Sequence, residues 1–207
     1  MYVSAHTELL VATKNAGKVR ELTELLAGVP LRLRSLSDFP DAPEVEETGE
    51  TFEENARLKA VRYATHAGLL TLADDSGLEV AALGGAPGVR SARYAGESAA
   101  DAERIGLLLR ELSRANSDDR RARFVCAIAL HDPLRGAPEV FTADCPGRIA
   151  PAPRGTNGFG YDPVFIPDGY EQTFAELPAA VKQQISHRAR ALRLAREFIQ
   201  NAFAPLP

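Results

Sequence analysis

The residues best suited to chemistry are two adjacent aspartates, Asp74 and Asp75, which follow the apolar run from Leu69 to Ala73. The run predicts a short buried strand, and Ser76-Gly-Leu-Glu79 has capping-box spacing, which predicts a helix directly after the aspartates. Ligands of open α/β sheets bind beyond the carboxyl ends of strands, so this arrangement favours a phosphate and a metal ion. Because successive strand residues point to opposite faces, we expect Asp75 to face the ligand. Two turn residues beside a simple N-cap are the alternative.

A polar turn near the start of the chain is the second candidate. Glu8 to Thr13 is a short apolar run, and a helical stripe begins at Val19. The turn between them lacks the Gly and Ser or Thr positions of a Walker A loop. Its helix-start N–H groups and lysines could still bind phosphate oxygens, although a capped helix with solvated lysines is the alternative. The turn consists of Thr13, Lys14, Asn15, Ala16, Gly17 and Lys18.

An acidic loop between Asp38 and Glu50 could lend carboxylates to a metal ion. Acidic loops are usually solvated, so Glu46 and Glu47 become metal-ligand candidates only if they approach Asp75. The residues alone do not decide between the two glutamates, because they are adjacent and chemically identical. Both therefore remain candidates.

The helix after this loop carries polar residues on its apolar side. Thr51-Phe-Glu-Glu54 is a capping box, and Gly68 is the expected C-terminal stop. Asn55 and Lys59 lie on or beside the apolar stripe at i, i+4 spacing, where a simple core helix would carry apolar side chains. Lys59 could turn inward to a phosphate or extend its ammonium group to solvent.

The segment from Pro151 to Pro167 is rich in glycine and contains Phe159 between two glycines. Such a loop allows close approach of a flat ligand, and an exposed Phe or Tyr can stack on a base. An aromatic residue that fills the core is the alternative. Further along, Lys182 and the adjacent pair His187 and Arg188 supply cationic donors near predicted helices.

Composition narrows the class of protein. The 207 residues are 45% hydrophobic and 25% charged, which is typical of one globular domain or of two small lobes that share a core. No stretch has the length of a membrane span, and no signal peptide is evident, so we expect a cytoplasmic protein. A net charge of −4 argues against binding a nucleic-acid polymer. Cys126 and Cys145 lie in predicted strands and are expected to be buried thiols.

Six motif blocks follow one another along the chain. They are Thr13-Lys-Asn-Ala-Gly-Lys18, Glu46-Glu-Thr-Gly49, Ala73-Asp-Asp-Ser-Gly-Leu78, Gly84-Gly-Ala-Pro-Gly88 with Ser91-Ala-Arg-Tyr94, Gly158-Phe-Gly-Tyr-Asp-Pro163 and Ser186-His-Arg188. Taken together and in order, these blocks resemble those of the inosine triphosphate pyrophosphatase family. The resemblance runs from about Leu9 to Phe198, and the combination of blocks is much more specific than any one of them.

The resemblance implies an α/β fold: a mixed twisted sheet flanked by helices, with two lobes and a nucleotide cleft between them in a single domain over residues 1–207. It also implies a homodimer that uses Mg²⁺ to hydrolyse ITP, dITP and XTP to the monophosphate and pyrophosphate. Asp75 matches the general base, and Glu46 or Glu47 with Asp75 matches the metal carboxylates. Residues 13–18 match the triphosphate-binding turn. Substrate-contacting positions are matched by Ser76, Phe159, Gly160, Tyr161, Asp162, Lys182, His187 and Arg188.

The residue types present are those that phosphoryl transfer requires, namely carboxylates for Mg²⁺, cations for the phosphates and a base for the attacking water. Two other functions stay open. A noncatalytic nucleotide-binding module could use the same loop and cations but would not need the paired carboxylates, which repel phosphate unless a metal intervenes. A related house-cleaning pyrophosphatase for other modified nucleotides is the second alternative.

Overall fold

The computed structural model describes residues 7–115 and 117–203, with the side chain of Phe203 outside that description. The strands are β1 (Glu8–Val11), β2 (Arg32–Ser35), β3 (Leu70–Val80), β4 (Arg121–His131), β5 (Glu139–Ile149) and β6 (Phe165–Pro167). The α-helices are α1 (Ala16–Leu25), α2 (Phe52–Ala67), α3 (Asp101–Arg114), α4 (Ala179–Ile185) and α5 (His187–Phe203). Within the described ranges, no helix is both long and apolar enough to cross a membrane.

The six strands form one sheet in the order β2-β1-β3-β4-β5-β6. β1 pairs in parallel with β2 and with β3, where Leu9 lies opposite Leu33 and Leu70. β5 and β6 are antiparallel, with Ile149 opposite Phe165. The sheet therefore contains both parallel and antiparallel pairs and is combined with five α-helices in the described residues, which confirms the predicted α/β fold class.

The chain divides into two compact units. The first contains Met1–Asp75, Cys126–Thr142 and Arg190–Pro207, and the second contains Ser76–Val125 and Ala143–Ala189. Each unit has its own buried apolar residues. The chain passes from one unit to the other within β3, β4, β5 and α5.

The first unit contains β1 and the helices α1 and α2, which the apolar patterns of the sequence predict. Leu22 of α1 and the small residues Ala56, Ala60 and Ala64 of α2 are fully buried. Thr51 caps the start of α2 through a capping box, and Gly68 ends the helix in the left-handed conformation with φ of 66°. A residue with a side chain would be strained at this φ, so glycine is the residue that lets the helix end in this conformation.

The second unit has an aromatic core. Phe124 lies 4.6 Å from Phe165 between ring centroids, and Phe165 lies 5.3 Å from Phe174. The rings pack with buried aliphatic side chains of α3, including Leu108 and Leu112.

The two cysteines are buried thiols, as predicted. Cys126 lies in β4 and Cys145 in β5, and they form no disulfide.

One prediction about local structure is wrong. No helix begins at Ser76, because β3 continues to Val80 and only a short 3-10 turn at Ala81–Leu83 follows. Leu78 and Val80 are fully buried while Glu79 between them is only partly buried, which is the period of a strand. Asp74 and Asp75 thus lie in the middle of β3, and the argument that placed them at a strand end does not hold.

Contacts with distant residues explain why the apparent capping box at Ser76 forms a strand. The Leu78 N–H donates to Ser91 Oγ at 2.8 Å, and Glu79 pairs with Arg123 at 2.7 Å. Ser76 Oγ accepts a hydrogen bond from Arg188. The polar groups that would have capped a helix are used in tertiary contacts, which outweigh the local signal.

Candidate active site

In the first unit, a set of charged and polar side chains, here called the carboxylate–lysine cluster, gathers around β3. Four separate segments contribute: β3, α2, α1 and the acidic loop before α2. The cluster consists of Lys18, Glu47, Asn55, Lys59, Asp74 and Asp75.

Lys59 lies at the centre of this cluster. Its ammonium Nζ is 2.7 Å from Glu47 Oε1 and 2.8 Å from Asp75 Oδ1. Burial alone would lower the pKa of Lys59, but the negative charges of Asp75, Asp74 and Glu47 outweigh it and raise the pKa above its ordinary value. The side chain therefore turns inward and stays charged, which excludes the solvent-extended alternative; the structure alone does not test contact with a phosphate.

Asp75 is buried and held through both carboxylate oxygens. Oδ1 accepts from Lys59, and Oδ2 accepts from Asn55 Nδ2 at 3.4 Å. Burial raises the pKa of Asp75 more strongly than the charges of Lys59 and Lys18 lower it. A carboxylate with a raised pKa binds a proton more readily than an exposed one, as a general base requires.

The predicted phosphate-binding turn lies beside Asp74. Asn15 caps α1, since its side-chain oxygen accepts the Lys18 N–H at 3.0 Å, and Thr13 Oγ1 accepts the Asn15 N–H at 3.2 Å. Lys18 Nζ reaches Asp74 Oδ2 at 3.0 Å. Lys14 and Ala16 are exposed, and Gly17 is half-buried. Asp74 is therefore a strand residue that forms an ion pair with this segment, and the turn-residue alternative does not apply to it.

The two candidate glutamates differ in position. Glu47 is half-buried and bound to Lys59, whereas Glu46 is exposed and its backbone oxygen accepts the Thr48 N–H. Glu47 therefore approaches Asp75 through a shared cation, and Glu46 does not share that contact. This difference favours Glu47 as the partner of Asp75.

The donor set suits a magnesium ion that is held partly by substrate. Among the residues that the structure describes, no group of three or more His, Cys, Asp and Glu side chains could hold a metal ion. Mg²⁺, however, is usually bound through one or two carboxylates, with waters and substrate phosphates completing the shell. Glu47 and Asp75 already converge on one cation, the Lys59 ammonium, so two carboxylates are oriented towards a common position.

In the second unit, a different set of side chains, here called the aromatic–basic cluster, surrounds Phe159. Its members come from β3, the glycine-rich loop, α4 and the start of α5. They are Ser76, Phe159, Asp162, Lys182 and Arg188, and His187 precedes Arg188 in α5.

The glycine-rich loop is fixed by Asp162, which is buried. Asp162 Oδ2 accepts the Phe159 N–H at 2.8 Å and also binds Lys182 Nζ. Gly158 has φ of +77°, and a Cβ there would lie 1.9 Å from Asp162 Oδ2, so only glycine fits. Gly160 is also left-handed and donates its N–H to Asp101 at 2.7 Å. The loop therefore presents a half-buried Phe159 in a defined position.

Cations cover the ring of Phe159. Lys182 Nζ lies 4.7 Å from the ring centroid, and Arg188 Cζ lies 5.7 Å from it. Both cations are nearly fully buried, and Arg188 donates to Ser76 Oγ at 2.8 Å. His187 stacks on Phe124 with a centroid distance of 4.7 Å and an interplanar angle of 11°. Arg188, one of the two predicted donors of α5, is thus brought together with the aromatic loop, whereas His187 packs against Phe124 of the aromatic core.

Two of the predicted substrate-binding residues, Tyr161 and Asp162, have contacts within the protein. Tyr161 fills the aromatic core and donates its hydroxyl to Ser91 O at 2.9 Å, so it is a packing residue. Asp162 acts mainly on the loop and on Lys182. Contact of either with substrate is not tested by the structure.

Sequence reasoning assigned no role to Asn55 and Asp101. Asn55 binds both the acidic loop and Asp75, and Asp101 binds the Gly160 backbone. The polar Asn55 in an apolar helix stripe was the available signal. For Asp101 there was no signal, because a carboxylate in the first turn of a helix is common.

Comparisons with known proteins identify the family. The Ham1 family matches residues 9–198, and the chain belongs to that family. The dITP/XTP pyrophosphatase of Geobacillus kaustophilus is 55% identical over 185 residues, which cover 89% of this chain and 90% of that protein. The dITP/XTP pyrophosphatase of Geobacter sulfurreducens is 51% identical over 193 residues, covering 93% and 96%.

Solved structures agree with this assignment. A HAM1 protein from Coxiella burnetii superimposes with a TM-score of 0.87 at 45% identity, covering 94% of this chain and 99% of that one. The Ham1 protein of Staphylococcus aureus gives a TM-score of 0.84 at 42% identity, covering 94% and 98%. The family resemblance inferred from the motifs is therefore confirmed.

Proposed function

We propose that the protein hydrolyses aberrant purine nucleoside triphosphates, namely dITP, XTP and ITP, to the nucleoside monophosphate and pyrophosphate. The observation that carries this proposal is the buried arrangement in which Lys59 joins Glu47 to Asp75. Such a concentration of carboxylates repels a nucleotide unless a metal ion mediates the contact. The activity named for the relatives from Geobacillus kaustophilus and Geobacter sulfurreducens agrees with it.

Asp75 is the proposed general base. Water attacks the α-phosphorus, the bond from that phosphorus to the bridging oxygen breaks, and pyrophosphate leaves. Asp75 takes the proton of the attacking water, for which its raised pKa is suited. Lys59 and Asn55 keep its two oxygens in place, so that the base does not reorient during the reaction.

Glu47 and Asp75 are the residues that would hold the proposed Mg²⁺. When bound, this ion would neutralise phosphate charge and lower the pKa of coordinated water. The turn from Thr13 to Lys18 is proposed to bind the triphosphate through helix-start N–H groups and the lysine ammonium. The preference for Mg²⁺ over other divalent ions is part of the proposal.

The aromatic–basic cluster is proposed to bind the purine. Phe159 offers a ring face for stacking, and Arg188 carries planar N–H donors that suit a carbonyl oxygen. Hypoxanthine and xanthine have an oxygen at C6, whereas adenine has an amino group there. A hydrogen-bond donor directed at C6 would therefore favour hypoxanthine and xanthine over adenine. The homodimer, the cytoplasmic location and the single-domain organisation over residues 1–207 remain predictions.

A triphosphate panel with product analysis tests this function. The purified protein with Mg²⁺ is offered dITP, XTP, ITP, ATP, GTP and modified pyrimidine triphosphates in water labelled with ¹⁸O. We expect monophosphate and pyrophosphate from the first three, with the label in the monophosphate because attack is at the α-phosphorus. Preferential turnover of a modified pyrimidine would support the related house-cleaning alternative, and binding without any turnover would support the noncatalytic module.

A further inference from the structure

Asn55 has contacts that the positioning of Asp75 does not explain by itself. It is fully buried in the second turn of α2, on the side of the helix that otherwise carries Phe52, Ala56 and Ala60. A buried amide needs hydrogen-bond partners, because leaving it unsatisfied costs stability. Its partners therefore indicate what it does.

Within the described residues, the side-chain partners of Asn55 belong to two segments of the carboxylate–lysine cluster. Its Oδ1 accepts the Gly49 N–H at 2.7 Å, and its Nδ2 donates to Gly49 O at 3.4 Å. The same Nδ2 group donates to Asp75 Oδ2 at 3.4 Å. One side chain thus joins the acidic loop, two residues after Glu47, to the carboxylate of β3.

The neighbouring contacts make the same attachment. Glu54 Oε2 accepts the N–H groups of Glu50 and Thr51, so the end of the acidic loop is bound to the first turn of α2. Lys59, four residues after Asn55, binds Glu47 and the second oxygen of Asp75. Residues at i and i+4 share a helix face, so α2 holds both oxygens of Asp75 from one side.

Gly49 can approach Asn55 this closely because it has no side chain. A Cβ there would lie 2.7 Å from Glu54 Cβ and 2.8 Å from Asn55 Oδ1. Its φ is not in the left-handed region, so close approach to α2 is the reason for glycine at this position. Even the smallest side chain would push the loop away from Asn55.

We infer that Asn55 and Gly49 form a clasp that positions Glu47 and Asp75 as a pair, so that Asn55 is a positioning residue for divalent-metal binding. The inference rests on the proposed function for the role of the two carboxylates. Residues that orient metal ligands typically contribute about 10- to 100-fold to metal affinity or activity. The clasp acts on the loop through the backbone of Gly49, and hydrogen exchange of the Gly49 N–H can be observed directly.

The experiment compares Asn55→Ala and Gly49→Ala with the wild type and with Ala64→Gly. Ala64 is a buried residue of α2 with no part in the cluster, so its replacement destabilises the same helix and serves as the matched control. Three properties are measured: thermal stability, hydrogen exchange of the residue-49 amide in metal-free protein by NMR, and Mn²⁺ affinity by electron paramagnetic resonance.

We expect both clasp variants to bind Mn²⁺ about 10- to 100-fold more weakly and to lose protection of the residue-49 amide. Ala64→Gly should keep both properties despite a lower Tm, which separates positioning from general destabilisation. If Asn55→Ala does not fold, Gly49→Ala, which alters a half-buried position of the acidic loop and retains the amide side chain, decides the question.

Wild-type Mn²⁺ affinity and amide protection in Gly49→Ala would overturn the inference, and so would equal losses in Ala64→Gly. Neither measurement needs turnover of a nucleotide. The two proposals can fail separately. If the wild-type protein hydrolyses none of the triphosphates but the clasp variants still lose Mn²⁺ affinity, the proposed function is refuted and the inference about the clasp stands.

Discussion

The carboxylate–lysine cluster and the aromatic–basic cluster each contain a lysine that is about nine-tenths buried, in opposite surroundings. Lys59 is 9% exposed and is bound by two carboxylates, whereas Lys182 is 8% exposed and is bound by one carboxylate and two ring faces. A buried charge is stable only when it is paired. The two clusters satisfy that requirement with different partners, and the choice of partner sets their chemistry.

The difference lies in the sum of the formal charges of the named members of each cluster. The carboxylate–lysine cluster has three carboxylates and two ammonium groups, so its surplus is negative and suits a further cation. The aromatic–basic cluster has Lys182 and Arg188 against Asp162, so its surplus is positive and suits an electron-rich ligand atom. Similar burial thus supports a metal role in one place and recognition of a carbonyl in the other.

The largest effect is expected from Asp75→Asn. The change keeps the volume and the contact with Asn55 but removes the proposed base and one metal carboxylate. Turnover of dITP should fall by about 10² to 10⁴, the usual contribution of a general base, or by more through loss of the metal. Pyrophosphate release and calorimetric nucleotide binding measure the two parts separately.

Asp162→Asn is the matched control, since Asp162 is also a buried aspartate bound to a buried lysine. It should raise KM for dITP more than it lowers kcat, because it holds the loop that carries Phe159. Near wild-type kcat in Asp75→Asn, or an equal loss of kcat in both variants, would contradict the division of roles between the clusters.

An intermediate effect is expected from Arg188→Met, which keeps the aliphatic stem and removes the donors. A hydrogen bond from a charged group contributes about 1.5 to 3 kcal/mol, so kcat/KM for dITP should fall by about 10- to 150-fold. The value for dATP should change little, because adenine has no carbonyl at C6. Steady-state kinetics on both substrates give the ratio.

Phe159→Ala is the companion variant for that measurement. Lost stacking should weaken all purines alike, by about 1 to 3 kcal/mol, and leave the dITP to dATP ratio unchanged. An unchanged ratio in Arg188→Met would show that base choice is made elsewhere, for example by His187.

The smallest effect is expected from the two glutamates of the acidic loop. Glu47→Gln should raise the Mg²⁺ concentration needed for half-maximal activity by about tenfold or more. The reason is that Glu47 and Asp75 are oriented towards a common position, which the Lys59 ammonium marks. Glu46→Gln, the exposed neighbour, should leave it nearly unchanged. Titration of activity with Mg²⁺ measures both, and equal effects would mean that the loop is simply solvated.

The sequence by itself determined the elements whose signals are local. The capping box at Thr51, the glycine stop at Gly68 and the Asn15 cap of α1 all depend on contacts within a few residues, and all three are present. The ordered motif blocks likewise predicted the family, and the resemblance implied the mixed sheet. The capping and glycine-stop predictions were confirmed because these local preferences agree with the final fold, while the roles of the site residues stay predictions.

Tertiary structure alone decided the positions that depend on distant partners. The apparent capping box at Ser76 became part of β3 because Arg188, Ser91 and Arg123 bind its polar groups. Spacing could not separate Glu46 from Glu47, since only the approach of Lys59 distinguishes them. The pairing of Asn55 with Gly49 and Asp75 could not be predicted either, because the hydrogen-bond partners of a buried amide come together only when the chain has folded.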